Sequence, residues 1–259
     1  MPSMGNLTES PRKELHVFYV LDTSGSMEGA KISALNHAVE ECTQALKTLA
    51  KGNGDAKLKM AVLEFNTNCR WVTANGPEDL EEDFIYEYME AGGLTEMGAA
   101  LRELNGKLSQ HEYLKSMTGA LMPVIIFMTD GYATDDYENA LQEIRKNRWF
   151  RRGTKIGFAL GDDADVAMIA SVVGNKEAVI QTTDLELFKR LMKFVSVTAS
   201  MLVSQSATSD TASSGADIVK RAITDMDLAG SGITPDLDDS QYKKEPETSN
   251  EDWADDDEW

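Results

Sequence analysis

Residues 17–27 read V-F-Y-V-L-D-T-S-G-S-M, a stretch in which an apolar run ends at Asp22 and gives way to small oxygen-bearing side chains. The run is too short for a helix and is rich in β-branched and aromatic residues, so it predicts a buried strand of a parallel sheet. At its carboxyl end Asp22, Ser24 and Ser26 offer hard oxygen ligands, which suit Mg²⁺ or Mn²⁺ better than Zn²⁺ or Cu⁺. Taken alone, this stretch has a simpler interpretation, a polar turn that caps the next helix. The rest of the chain decides between the two.

Strands and helices alternate along the rest of the chain. Further strands are predicted at 58–65, 70–73, 124–128, 155–160 and 178–181, and helices at 32–49, 96–115, 135–148, 166–173 and 184–203, with a short helix or ordered loop at 80–89. Such alternation is typical of right-handed βαβ units around a parallel sheet. We therefore expect an α/β fold: a doubly wound, mostly parallel sheet of six strands with helices on both faces. The strand at 70–73 follows a short hairpin and is expected to form an antiparallel edge.

Three loops of this expected fold carry hard oxygens to the same rim of the sheet. Besides the loop after the first strand, Thr95 follows Gly92-Gly93 at the start of a helix, and Asp130 follows the buried strand 124–128. Sites on doubly wound sheets lie beyond the carboxyl ends of the strands. Two serines and one threonine bound directly, with two aspartates bound through water, would supply an octahedral Mg²⁺ site that keeps a position open for a partner's carboxylate. Mn²⁺ and Ca²⁺ are the alternative ions.

Three motifs in these loops resemble a known family. D-T-S-G-S at 22–26, G-G-L-T-E-M-G-A-A-L at 92–101 and T-D-G at 129–131 are similar to the metal-ion-dependent adhesion site of von Willebrand factor A domains. The resemblance covers residues 13–204. It implies a complete site with Asp22, Ser24, Ser26, Thr95 and Asp130 as the metal ligands, and it implies the doubly wound sheet already expected.

Within that family, the amino-acid sequences of the strands and loops are most similar to those of the bacterial tellurium-resistance (TerY-type) proteins. This narrower resemblance implies a signalling adaptor in a stress, tellurite-resistance or phage-defence system, with a Ser/Thr protein kinase and a metal-dependent phosphatase as partners. The alternative is an accessory subunit of a metal-inserting or remodelling ATPase complex, in which many A domains of this kind serve.

The sequence offers little support for an enzyme. It contains no G-x-x-x-x-G-K-[ST] loop, no H-E-x-x-H and no G-x-S-x-G, and no nucleophile is paired with a recognisable base. We therefore expect a non-enzymatic module that binds a partner protein through a Glu or Asp of that partner.

The amino-acid composition limits the classes of partner and the cell compartment that we expect for this protein. The formal net charge of −19 argues against nucleic acid or an anionic membrane as a partner. No apolar run approaches the roughly 20 residues that span a bilayer, and residues 1–12 lack the apolar core of a signal peptide. We expect a cytoplasmic protein with a flexible N-terminus at 1–12, a domain at 13–204, and Cys42 and Cys69 as free thiols.

The segment 205–259 differs from the rest, because it holds fifteen acidic and four basic residues. High charge with low hydrophobicity predicts a largely disordered acidic tail. The stretch 216–228 is an exception, since its apolar residues share one face of a short helix. Near its end, Trp253 and Trp259 stand among carboxylates, a pattern that suits a peptide bound by a basic, grooved partner; a passive acidic tail is the alternative.

A basic run stands out against this acidity at 145–152, where Arg145, Lys146, Arg148, Arg151 and Arg152 cluster. Cations at a helix end are favourable to the helix dipole, which gives the run a purely structural interpretation. A docking patch for an acidic partner, or for this chain's own tail, is the alternative.

Overall fold

A computed structural model describes residues 12–73, 78–80, 86–108, 119–205 and 214–226. The strands are β1 (Lys13–Asp22), β2 (Ala56–Phe65), β3 (Cys69–Trp71), β4 (Glu78–Asp79), β5 (Val124–Thr129), β6 (Thr154–Leu160) and β7 (Val179–Thr182). The helices are α1 (Ala30–Gly52), α2 (Met97–Lys107), α3 (Tyr137–Ile144), α4 (Arg148–Arg152), α5 (Val166–Val173), α6 (Leu185–Gln205) and α7 (Gly215–Asp225).

The sheet has the order β3-β2-β1-β5-β6-β7, with every pair parallel except β2 with β3. This confirms the doubly wound, mostly parallel α/β sheet and its antiparallel edge. The expected count of six strands is one too low, because β4 adds two residues antiparallel to β2. Glu and Asp have low strand propensity, so pairing with β2 is what holds these two residues in an extended conformation.

Helices cover both faces of the sheet, and β1 is buried between them. Val17, Tyr19 and Leu21 belong to one apolar core, with α1, α6 and α7. Phe18 and Val20 belong to the other, with α2 to α5. A central parallel strand that is covered on both faces is apolar at consecutive positions, which explains the unbroken apolar run at 17–21.

Two of the predicted helices need correction. The helix predicted at 135–148 is broken into α3 and α4, because Asn147 accepts a hydrogen bond from Trp149 N (2.9 Å) and caps α4, while its amide donates to Asn105 Oδ1 (3.0 Å). The helix predicted at 96–115 ends at Lys107, and 109–118 lie outside the described residues. Of the stretch 80–89, the described residues 86–89 are not helical; Met89 N donates instead to Asn36 on α1 (2.8 Å).

Helix α7 begins at Gly215, one residue before the stretch 216–228, and packs on the domain. Its residues Ile218, Val219 and Ala222 are fully buried in the core shared with α1 and α6. Ser214 and Asp217 form a reciprocal capping box that fixes where the helix begins. The core therefore continues past residue 204, where the sequence analysis places the end of the domain.

His16 on β1 should make stability depend on pH. Its side chain is buried against Phe18, and burial lowers its pKa from 6.5 to about 4. Because the unfolded chain takes up the proton first, stability from this group is complete above pH 6.5 and is lost as the pH falls towards 4. The loss approaches about 3 kcal/mol, at about 1.4 kcal/mol per pH unit.

Urea unfolding at pH 7 and pH 4.5 checks this expectation with His16→Phe as the comparison. The difference in unfolding free energy between variant and wild type should shift in favour of the variant at pH 4.5. A difference that is the same at both pH values would mean that His16 ionises as freely in the fold as in the unfolded chain.

Candidate metal centre

Asp22 is the last residue of β1, and both of its carboxylate oxygens have donors. Oδ1 accepts from the backbone N–H of Ser24 (2.8 Å), and Oδ2 accepts from the hydroxyl of Thr129 at the end of β5. The side chain is fully buried. Burial raises the pKa of Asp22, and the hydrogen bonds from Thr129 and Ser24 oppose that rise. The carboxylate is therefore held in one orientation at the carboxyl end of two neighbouring strands.

The two serines lead from Asp22 to the third loop. Ser24 Oγ lies 3.0 Å from Ser26 Oγ, and Ser26 donates to Asp130 Oδ1 (2.7 Å). Ser24 and Asp130 are buried, whereas Ser26 is exposed. A short chain of hydroxyls thus joins the two carboxylates across residues that are more than one hundred positions apart in sequence.

Thr95 reaches the same place because backbone hydrogen bonds tie its loop to both of the others. Gly25 N donates to Gly93 O (3.0 Å), and Thr134 N, just beyond Asp130, donates to Thr95 O (2.8 Å). A Cβ placed on Gly131 would lie 3.7 Å from Ser26 Oγ and 4.0 Å from Thr95 Oγ1, so both hydroxyls face the backbone next to Asp130. All five residues that the sequence nominated as ligands therefore meet at one rim.

A tight turn at Gly93 makes this approach possible. Its φ is +81°, and a Cβ there would come within 2.5 Å of Thr67 Oγ1. That hydroxyl accepts a hydrogen bond from Leu94 N (2.9 Å), which fixes the residue before Thr95. Glycine is needed at position 93 for both its backbone conformation and its lack of a side chain.

Lys31 is the residue of this site that the sequence analysis missed. Its Nζ lies 2.5 Å from Asp130 Oδ2, and the Asp130 side chain has no exposed surface. A lysine in the first turn of α1 stands at the positive end of the helix dipole, which is an unfavourable position for a cation. The unfavourable position of this cation was the feature of the sequence that could have pointed to Lys31 as part of the site.

The donors fit a hard divalent cation. The converging atoms are hydroxyl and carboxylate oxygens, which suit Mg²⁺, Mn²⁺ or Ca²⁺. Within the described ranges, no three His, Cys, Asp or Glu side chains gather as a metal site, so any ion here depends on the hydroxyls. Ser24, Ser26 and Thr95 would hold it, with Asp22 and Asp130 behind them.

Two exposed apolar side chains flank the site. Tyr132 is 65% exposed and Leu94 is 54% exposed, and they lie within two residues of Asp130 and Thr95 respectively. Exposed apolar surface therefore lies close in sequence to two of the nominated ligands. Trp253 and Trp259 lie outside the described residues, so their expected partner-binding role stays a prediction.

Comparison with protein families gives one match. A family model described as the von Willebrand factor type A domain matches residues 16–194, which include all five nominated ligands. Domains of this family generally serve in adhesion and protein interaction. The comparison with curated proteins gives no match.

Solved structures share the fold at low sequence identity. Proximal thread matrix protein 1 from the mussel byssus, described with a zinc-occupied MIDAS motif, is 16% identical with a TM-score of 0.52, over 72% of this chain and 48% of that one. A von Willebrand factor type A protein from Catenulispora acidiphila is 18% identical with a TM-score of 0.50, over 72% and 43%. The pilus adhesin SpaC from Lactobacillus rhamnosus GG is 10% identical with a TM-score of 0.56, over 71% and 30%. The chain spans less than half of each of these longer proteins.

None of the described helices is long and apolar enough to cross a membrane.

Proposed function

Because this chain belongs to the von Willebrand factor type A domain family, we propose that it is a non-enzymatic, metal-dependent module that binds a partner protein. The convergence of Asp22, Ser24, Ser26, Thr95 and Asp130 at one rim is the observation that carries the proposal. Ser24, Ser26 and Thr95 would hold Mg²⁺, which would supply an electrophilic position for a carboxylate oxygen. The chain's own residues orient the site, and a Glu or Asp from the partner completes it.

The surroundings of the site support a protein as its ligand. Leu94 and Tyr132 offer exposed apolar surface next to the nominated ligands. A few anchor residues, among which tyrosine is enriched, contribute most of the affinity at protein interfaces, whereas a single metal–carboxylate contact fixes the position of one residue. A partner segment with an acidic residue beside an apolar one matches this arrangement.

The finer setting that we propose follows the resemblance to TerY-type proteins. It is a cytoplasmic signalling adaptor of a bacterial stress, tellurite-resistance or phage-defence system, with a protein kinase and a metal-dependent phosphatase as partners. Mg²⁺ is the proposed ion. An accessory role in a metal-inserting or remodelling ATPase complex is the competing setting.

Affinity capture followed by mass spectrometry tests the function and its setting together. The full chain should capture specific partners in Mg²⁺ and lose them in EDTA. A kinase and a phosphatase among them would support the signalling setting, whereas an ATPase would decide for the competing one. Capture that is equal in Mg²⁺ and EDTA would contradict metal-dependent binding.

Two variants sharpen this capture experiment. Leu94→Ser combined with Tyr132→Ser should bind Mg²⁺ as the wild type does but recover less than about a tenth of the partner, since interface anchors are worth about 1–2 kcal/mol or more each. Tyr88→Ser is the matched control, because Tyr88 is comparably exposed (53%) but packs with His37 on α1. If wild type, the double variant and Tyr88→Ser all recover the same amount of partner, Leu94 and Tyr132 are not part of the interface.

A further inference from the structure

A basic surface lies at the end of the sheet where β6 begins. It consists of Arg145, Lys146, Arg148, Arg151, Arg152 and Lys155, and residues 143–155 contain Glu143 as their one acidic residue. The first five are exposed. In a protein with a net charge of −19, six of the 25 basic residues are thus concentrated in eleven consecutive positions.

Most of this positive charge has no carboxylate partner within the described residues. No carboxylate there lies within ion-pair distance of Lys146, Arg151, Arg152 or Lys155, and Arg145 donates to the carbonyl of Ser171 (2.8 Å). Lys155 donates to the carbonyls of Phe150 (2.9 Å) and Gly153 (3.1 Å). Burial, with the nearby charge of Arg145, lowers the pKa of Lys155 to about 8. The surface therefore presents a net positive potential.

Helix α7, which precedes the acidic segment, begins next to this surface. Its first residue, Gly215, lies so close to the carbonyl of Lys155 that a Cβ there would come within 2.1 Å of the oxygen. Lys155 belongs to the basic surface, so α7 begins beside it. A helix of 11 residues extends about 16 Å from that point.

The chain that follows α7 has the complementary charge. Residues 227–259 contain twelve acidic and two basic residues, and 250–259 contain six acidic residues, no basic residue and two tryptophans. A flexible chain of 24 residues, the number between α7 and position 250, has a root-mean-square span of about 25–30 Å. That span exceeds the length of α7, so the segment can reach back to the surface beside which α7 begins.

We propose that the acidic segment 250–259 docks in cis on the basic surface formed by Arg145, Lys146, Arg148, Arg151, Arg152 and Lys155. A short linker keeps the segment near the surface at an effective concentration in the millimolar range, so contacts that are weak between separate molecules suffice here. The docked segment is withheld from other basic partners, and an acidic partner has to displace it.

Zero-length carbodiimide cross-linking of the full chain tests this proposal, because the reagent joins a carboxylate to a lysine only when the two groups touch. In the monomeric product, mass spectrometry should find residues 251–258 linked to Lys146 at least about fivefold more than to Lys51, an exposed lysine at the far end of α1. One molar salt shortens the Debye length to about 3 Å and should reduce the Lys146 product severalfold.

Charge reversal provides the matched comparison. Arg151→Glu with Arg152→Glu should lower the Lys146 product severalfold, whereas Lys51→Glu with Arg190→Glu, an equal change of charge at exposed positions elsewhere, should leave it unchanged. Links spread evenly over the lysines, or a Lys146 product that resists salt, would overturn the proposal. Links found only in cross-linked dimers would overturn docking in cis and indicate exchange between two copies. The salt comparison uses wild-type protein and does not depend on whether the variants fold.

Discussion

Replacing Lys31 with methionine should raise the affinity for Mg²⁺ about tenfold, which corresponds to about 1.4 kcal/mol. The ammonium of Lys31 lies 2.5 Å from Asp130 Oδ2 and neutralises a carboxylate that has no exposed surface. A divalent ion at this site has to compete with that ammonium for the charge of Asp130. Methionine removes the competing charge and keeps an unbranched side chain of similar length.

The same substitution should destabilise the metal-free protein by about 1–2 kcal/mol, because it leaves a buried carboxylate without its cation. Saturating Mg²⁺ should restore most of that loss, since the two effects belong to one thermodynamic cycle. Calorimetric titration and thermal unfolding with and without Mg²⁺ measure both quantities. Lys51→Met, the same change at the other end of α1, is the control. If Lys31→Met and wild type bind Mg²⁺ equally, Lys31 does not compete for the site.

Replacing Ile218 with alanine should lower the unfolding free energy by about 2–4 kcal/mol, the usual range when a large aliphatic side chain is removed from a core. Ile218 has no exposed surface and belongs to the core that α7 shares with α1 and α6. The effect is large because α7 is part of the fold and does not belong to the acidic tail.

Urea unfolding measures this effect, and Thr224→Ala on the exposed side of the same helix should change stability by less than about 0.5 kcal/mol. If Ile218→Ala lowers the unfolding free energy no more than Thr224→Ala does, α7 contributes nothing to the core. The domain would then end near residue 204, as the sequence analysis expects.

The fold was predictable where local patterns and global topology agree. The short apolar run 17–21, rich in β-branched and aromatic residues, favoured a strand covered on both faces, and the carboxyl ends of the parallel strands were expected to meet at one rim. This is why Asp22, Thr95 and Asp130 could be placed together from their positions relative to strands and helices.

Other features depend on tertiary contacts that no local pattern encodes. The break between α3 and α4 follows from the side chain of Asn147, which bonds to α2 as well as to its own backbone. The apolar face of α7 was visible in the sequence, but the surface that covers it was not. The unfavourable position of Lys31 in the first turn of α1 was visible in the sequence, but its partner Asp130, 99 positions away, was not.

The central claim is that this chain holds a divalent cation at the rim formed by its three loops. Calorimetric titration of Mg²⁺ tests that claim most directly, with wild type compared with the double variant Asp22→Asn/Asp130→Asn, which keeps the shape of both side chains and removes their charge. We predict one Mg²⁺ per wild-type chain and no measurable binding by the variant, with unchanged circular dichroism. Equal heats from the two proteins would contradict the metal site and the mode of partner binding proposed from it.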